Sequence, residues 1–263
     1  MRICLGLALI VGLLAAAPGR ADAPAGLQPA NTALVVAIVD GDTVVLDDGT
    51  EVRLVGLQAP KLALGRRGFA EWPLAPASRA ALTALVLDRR VTLAYGGRRT
   101  DRHGRALAHL IRDDGLWIQG AMLEAGMARV YSFEDNRTAV PEMLSRERRA
   151  RSAGRGIWSH GFYAVRGVAD TGRLLDSFQL VEGMVLDAAE VRGRVYLNFG
   201  ENWQDDFTVS VAPGDVAAFD QAGVDLLALG GRRIRVRGWL YRRNGPMIDA
   251  SHPEQVELIE EVE

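Results

Sequence analysis

The stretch Asp40 to Lys61, DGDTVVLDDGTEVRLVGLQAPK, constrains the fold more than any other part of the chain. Asp-Gly steps at Asp40-Gly41 and Asp48-Gly49 punctuate two runs rich in β-branched residues, Thr43 to Leu46 and Glu51 to Leu57, and Pro60 ends the second. Asp-Gly between alternating apolar runs is a strong hairpin signal, because both residue types tolerate the left-handed backbone of a tight antiparallel turn. Such a hairpin brings Asp42 close to Arg53 at one end of a small sheet. A carboxylate and a guanidinium are the groups that hold a cation and a phosphate.

The rest of the chain supplies a second strand set and several helices. A strand at Leu34 to Val39 precedes the hairpin, and a Gly- and Pro-bearing loop from Leu62 to Pro76 leads to a helix over Ala77 to Leu87 with an apolar stripe of Ala81, Leu82, Leu85 and Val86. Strands follow at Val91 to Tyr95 and Arg105 to Ile111, then helices at Trp117 to Ala125, closed by Gly126, and Ala139 to Ala153, closed by Gly154. Five short strands with three helices fit a small closed barrel of the OB type, in an α+β chain that is mainly β. From about residue 173 the pattern starts again: strands at Phe178 to Leu186, Val191 to Phe199 and Phe207 to Val211, a helix at Asp215 to Ala222, then strands at Arg233 to Tyr241 and Met247 to Ala250. That order predicts a second OB-like β domain over 173–263 after a first over 31–163. Trp203, Phe207, Trp239 and Tyr241 are candidates there either for stacking bases or for the core.

At the N-terminus, Arg2, the apolar run Ile3 to Ala17 and Ala21-Asp22-Ala23 predict a secretory signal over 1–23, too short for a comfortable membrane span. Its removal would take with it Cys4, the sole cysteine, and leave a chain without disulfides, as suits an exported periplasmic or secreted protein. The net charge of −2 is unevenly divided. Residues 31–163 hold 19 basic and 15 acidic side chains, residues 164–263 hold 10 and 17, so only the first domain has the sign expected of a polyanion binder. Of the 31 basic residues all but Lys61 are arginine.

Taken together, DGDTVVLDDGTEVRLVGLQAPK, RTDRHGR at Arg99 to Arg105 and GIW at Gly156 to Trp158 resemble the staphylococcal nuclease-like, or thermonuclease, family, in its order and spacing over roughly Ala33 to Ser159. The resemblance implies an OB barrel, phosphodiester hydrolysis of DNA or RNA, and calcium. It implies that Arg53 and Arg105 grip the phosphate, a task that suits planar forked donors, and that Asp42 and the carbonyl of Ala59 hold the metal. The chain departs from the family where catalysis is decided. Gln58 stands at the second calcium carboxylate, and Lys61 stands where the catalytic glutamate belongs. The exchange makes the site three charges more positive, so calcium is expected to bind weakly. Lys61 could serve as a base only with a lowered pKa, a direction in which two arginines push. His103 and His109 flank Arg105 as other candidate bases, and Glu71 is a candidate replacement carboxylate.

Three function classes remain open at this point. One is an exported nuclease-like protein that binds single-stranded DNA, RNA or another phosphorylated ligand with a degenerate catalytic centre. Another is a working phosphodiesterase with altered metal or base use. The last is an envelope interaction module for which the barrel is scaffold.

Overall fold

The computed structural model describes residues 23–259, so the expected signal segment lies outside them apart from its last residue. In chain order the first half comprises β1 (Gln28–Asp40), β2 (Thr43–Leu46), β3 (Glu51–Leu54), β4 (Leu57–Gln58), α1 (Ala75–Val86), β5 (Arg90–Tyr95), β6 (Ala106–Arg112), α2 (Ile118–Glu124), β7 (Arg129–Val130) and α3 (Val140–Ser152). Five of these strands close into a barrel in the order β1-β2-β3-β6-β5. The strand β1 serves both edges: Gln28 to Leu34 pair with β5 and Val35 to Asp40 pair with β2, with register shifts that bend it around the barrel. All pairs are antiparallel except β3 with β6. Val35, Val44, Leu46, Val52, Leu54, Leu93 and Leu110 fill the interior, and Leu82 and Val86 of α1 and Ile118 and Met122 of α2 pack with them.

The strand expected over Glu51 to Leu57 is interrupted. Gly56 takes φ +81°, with the Met143 thioether so close that a Cβ would meet it at 2.8 Å. Beyond this break Leu57 and Gln58 leave the barrel and pair as β4 with β7 instead. The change of partner redirects Gln58.

The second half contains β8 (Arg166–Gly167), β9 (Ser177–Met184), β10 (Asp187–Val191), β11 (Arg194–Asn198), β12 (Thr208–Val211), α4 (Pro213–Gln221), β13 (Arg233–Arg243), β14 (Gly245–Asp249) and β15 (Val256–Leu258). The strand expected over Val191 to Phe199 is present from Arg194 as β11, but it is the second limb of a hairpin whose first limb, β10, was not expected: Arg192 and Gly193 both adopt positive φ, +54° and +77°, and turn the chain in two residues. Arginine at the first turn position hides that turn from a search for Asn-Gly or Asp-Gly. Sheet order is β10-β11-β12-β14-β13-β9-β8, with β12 and β14 parallel. The two limbs β9 and β10 are one stretch of chain that changes partner midway. Val185 N–H still donates to Arg232 on the β13 side at 2.9 Å, while Leu186 N–H donates to Asn198 of β11 at 2.8 Å. The pairing thus repeats that of the first barrel, with a long first strand bonded to two neighbours and a parallel pair on the far side. Phe207 is core, in contact with Phe199, whereas Trp203 and Trp239 are largely exposed.

The halves meet over a buried ion network. Arg237 of β13 is 1% exposed; its terminal nitrogens reach Glu147 of α3 at 2.9 and 3.2 Å, Glu257 at 2.6 Å and the Val130 carbonyl at 3.3 Å. Glu147, fully buried, also accepts from Val130 N–H at 2.6 Å and from Arg151 at 3.1 Å. At the rim Arg137 forks onto Glu254, and the Ser132 hydroxyl meets His252 at 2.8 Å. Removing Arg237 takes the most buried cation from two carboxylates and leaves Glu147 to Arg151 and the Val130 N–H alone. Arg237→Ala is therefore expected to lower the unfolding free energy by about 3–5 kcal/mol, read by urea denaturation, and a loss below about 1 kcal/mol would show that the network carries little weight.

Acid sensitivity follows from His109, which is 4% exposed in β6 and whose Nδ1 accepts from Trp117 Nε1 at 3.3 Å. Burial pushes its pKa down from the ordinary value of 6.5 to about 4, so the folded state holds it neutral. As pH falls from 6.5 towards 4 the unfolded chain takes up a proton that the folded one refuses, and stability declines by an amount on the order of 3 kcal/mol. His109→Leu should show a smaller drop in melting temperature between pH 7 and pH 4.5 than the parent protein. An equal drop would mean that acidification acts elsewhere.

Candidate functional site

The acidic turn between β1 and β2 sits against the N-terminal end of α1. Gly41 has no room for a side chain: a Cβ would lie 2.1 Å from the Ser78 hydroxyl and 2.7 Å from the Ala59 methyl. Ser78 is itself held by donating to the Met127 carbonyl at 2.7 Å. Leu54 N–H donates to the Asp42 carbonyl at 2.9 Å and ties the turn to β3. Asp42 is consequently fixed with its carboxylate pointing inward and no solvent exposure.

Four donors converge on that carboxylate. Ala59 N–H donates to Oδ2 at 2.7 Å, Lys61 Nζ lies 2.6 Å from Oδ2 and 2.8 Å from Oδ1, an Arg53 terminal nitrogen contacts Oδ1, and the Thr43 hydroxyl is 3.4 Å away. Asp40 backs the turn: its Oδ1 accepts from Asp42 N–H at 3.0 Å, and its Oδ2 is 3.4 Å from Lys61 Nζ. The other terminal nitrogen of Arg53 donates to the Leu57 carbonyl at 2.8 Å. Parallel pairing of Val52 with Ala106 brings Arg105, at the entry to β6, alongside. Arg105 is held by Asp101, through Nε at 2.8 Å and one terminal nitrogen at 2.7 Å, and its remaining terminal nitrogen has no partner among the described residues. Arg105 is the most exposed of the three cations, at 31%, against 21% for Lys61 and 15% for Arg53.

Electrostatics match this crowding. Burial lowers the Arg53 pKa to about 10, Asp40 opposing and Arg105 adding to the fall, so the guanidinium stays charged at neutral pH. Burial, with Arg53 and then Arg105 close by, also pulls the Lys61 ammonium down to about 7 while Asp40 opposes, and the direct contact with Asp42 favours the charged form.

Of the sequence candidates, the fold gathers Asp42, Ala59, Lys61 and Arg53 into one cluster with Arg105 beside it, and it turns Gln58 away. Gln58 Oε1 accepts from Arg129 Nε at 2.8 Å, and Arg129, 4% exposed, also donates to the Phe178 carbonyl of the second half at 3.0 Å. Arg129 is the residue missed from sequence; a lone arginine in the otherwise apolar run AGMARVY was its only signal. Ala59 presents its N–H to Asp42. Glu71 is exposed on its loop, His103 is exposed and bonded to Arg102, and His109 is buried against Trp117. Trp203 lines a separate cleft of about 490 Å³ in the second half, with Tyr196, Arg243 and Met247.

A calcium ion takes six to eight oxygen ligands. Here both oxygens of Asp42 are occupied by cations and a backbone donor, Gln58 is bonded to Arg129, and among the described residues no three His, Cys, Asp or Glu side chains are grouped to hold a metal. The donor set as it stands does not fit calcium. Because the turn depends on Gly41, Gly41→Ala should displace it from α1 and lower stability by about 1–3 kcal/mol, seen as a fall in melting temperature; an unchanged melting temperature would mean that the turn is free to shift.

Comparison with known proteins places these residues in context. A model of the staphylococcal nuclease homologue family matches residues 51–160. An uncharacterized endonuclease of Escherichia coli O157:H7 is 31% identical over 128 residues, covering 48% of this chain and 75% of the relative, and an Escherichia coli counterpart matches to the same extent. An uncharacterized protein of Bacillus anthracis is 32% identical over 130 residues, 48% of this chain and 59% of its own length.

Proposed function

The chain belongs to the staphylococcal nuclease homologue family, and from that premise we propose that it is an exported nuclease-like protein that binds single-stranded DNA, RNA or another phosphorylated ligand at its first barrel, without efficient calcium-dependent cleavage. Family membership suggests nuclease function and nucleic-acid binding, in a family that is typically calcium-dependent. The observation that carries the proposal is the pairing of Lys61 with Asp42 at 2.6 Å beside Arg53, with Arg105 at the edge of the cluster.

The roles follow from the chemistry of the groups. Arg105, held by Asp101 with one terminal nitrogen unengaged, offers the first contact to a phosphate oxygen. Arg53 and Lys61 lie behind it and supply positive potential in a partly dry site, where charge acts more strongly than in water. Hydrolysis further requires a group that orients and deprotonates water. A carboxylate at position 61 could do this; the Lys61 amine, although burial and Arg53 bring its pKa down to about 7, is turned to Asp42, which occupies it as a donor. Export is supported by the run Ile3 to Ala17. Among the described residues, no helix is long and apolar enough to cross a membrane.

The endonuclease name of the Escherichia coli relatives favours a second reading, a working phosphodiesterase. One experiment separates the two. The mature protein is incubated with labelled single-stranded DNA and RNA, with calcium or with chelator, and both retention and cleavage are followed. The expected result is binding that weakens steeply with salt and cleavage slower than that of a family member carrying glutamate at the position of Lys61. Rapid cleavage abolished by chelator would establish the second reading, and absence of binding at low salt would sink both.

A further inference from the structure

We propose that the Lys61 ammonium is the resident cation of this site: a tethered counter-ion that bridges Asp40 and Asp42 in place of a divalent metal, so that a phosphate docks here with no metal present. The ligand half of this statement rests on the phosphate-binding reading above; the cation half stands on the geometry alone.

Nζ lies 2.6 and 2.8 Å from the two oxygens of Asp42 and 3.4 Å from Asp40 Oδ2, which puts a compact positive charge between the two carboxylates of the acidic turn. The backbone keeps it there. Pro60 is buried immediately before it, and Trp72 N–H donates to the Lys61 carbonyl at 2.9 Å, pinning the following loop over the residue. The groups that could compete for a metal are already engaged. Ala59 turns its N–H to Asp42, and Gln58 is bonded to Arg129. The cluster is also balanced, with Arg53, Lys61 and Arg105 against Asp40, Asp42 and Asp101. A divalent ion would lie against an ammonium and two guanidinium groups, whereas a phosphate can approach from the side of Arg105, the most exposed of the three cations.

Residue choice argues the same way. The chain uses arginine at 30 of its 31 basic positions, and its only lysine stands at this point. A planar guanidinium makes forked contacts at its edge and cannot take the place of a spherical ion between two carboxylates. An ammonium is a compact point charge with three rotatable donors, and it can.

The uniqueness of Lys61 supplies the test. In protein labelled with ¹⁵N-lysine, one side-chain ammonium signal reports on the site. Addition of calcium to about 10 mM, above the range of weak protein calcium sites, should leave that signal in place, and the melting temperature should not rise. A saturable calcium-induced shift, or a calcium-dependent rise in melting temperature, would overturn the proposal. Lys61→Gln, which removes the ammonium and keeps side-chain length, should bind calcium by calorimetry at least about tenfold more tightly than the parent, with a calcium-dependent gain in melting temperature. A well-folded Lys61→Gln that binds calcium no better would also overturn it. Should that variant not fold, the labelled parent protein still decides, because its response to calcium needs no substitution. Titrating the labelled protein with oligothymidylate in the presence of chelator addresses the ligand: a shift of the ammonium signal places phosphate at Lys61 without metal. No shift, with calcium still excluded, would sink the phosphate-binding reading and leave the tethered cation standing.

Discussion

A carboxylate with no exposure to water has to find its counter-charges within the protein, and Asp42 is the residue around which the first barrel meets that demand. Its neighbours come from four places along the chain: the turn that carries it, the strand of Arg53, the N–H of Ala59 after the break at Gly56, and Lys61 beyond Pro60. An unpaired buried ion costs several kcal/mol, so the strand exit and the start of the following loop are bound to the turn as firmly as the hairpin is. The site is a stability element in its own right, in which the groups that would act on a phosphate are the same groups that neutralise the fold's buried acid.

The hairpin, both flanking turns and the three helices of the first half were legible in the sequence, because each rests on local periodicity or on a turn residue with a clear conformational reason, whereas the closing of its barrel was expected chiefly from the family resemblance. Asp42 and Arg53 could be placed together for the same reason, since they lie on one hairpin, and Lys61 joined them through the family resemblance. What stayed hidden was decided by partners far away in sequence. Gly56 reads as an ordinary strand glycine until Met143, 87 positions later, is seen packed against it. Arg192-Gly193 conceals a two-residue turn behind a residue seldom chosen for it. Arg129 has no local pattern at all, since its two partners, Gln58 and the Phe178 carbonyl, belong to opposite halves of the molecule.

Arg129 also links the chemistry of the first half to the seating of the second. Gln58 was expected, from the family resemblance, at the place of a metal carboxylate, yet its side chain belongs to a contact that runs through Arg129 to β9, where the guanidinium lies 4.7 Å from the centre of the Phe178 ring. A residue's position along the chain and its allegiance in space have come apart here. Substituting an acid at position 58 would set a new carboxylate beside Arg129 before it faced any ion, so the site is not returned to a metal-binding arrangement by sequence alone.

The network around Arg237 has a consequence in time. Chains are made from the N-terminus, and early domains begin to fold before later ones exist. Glu147 is enclosed by α3 and β7 of the first half, but the arginine that balances it lies 90 residues downstream, on a strand that forms only when the sheet of the second half does. In the interval Val130 N–H and Arg151 alone attend that carboxylate. The first half therefore passes through a provisional state of its own core, and its completion is a late event timed by the arrival of the second.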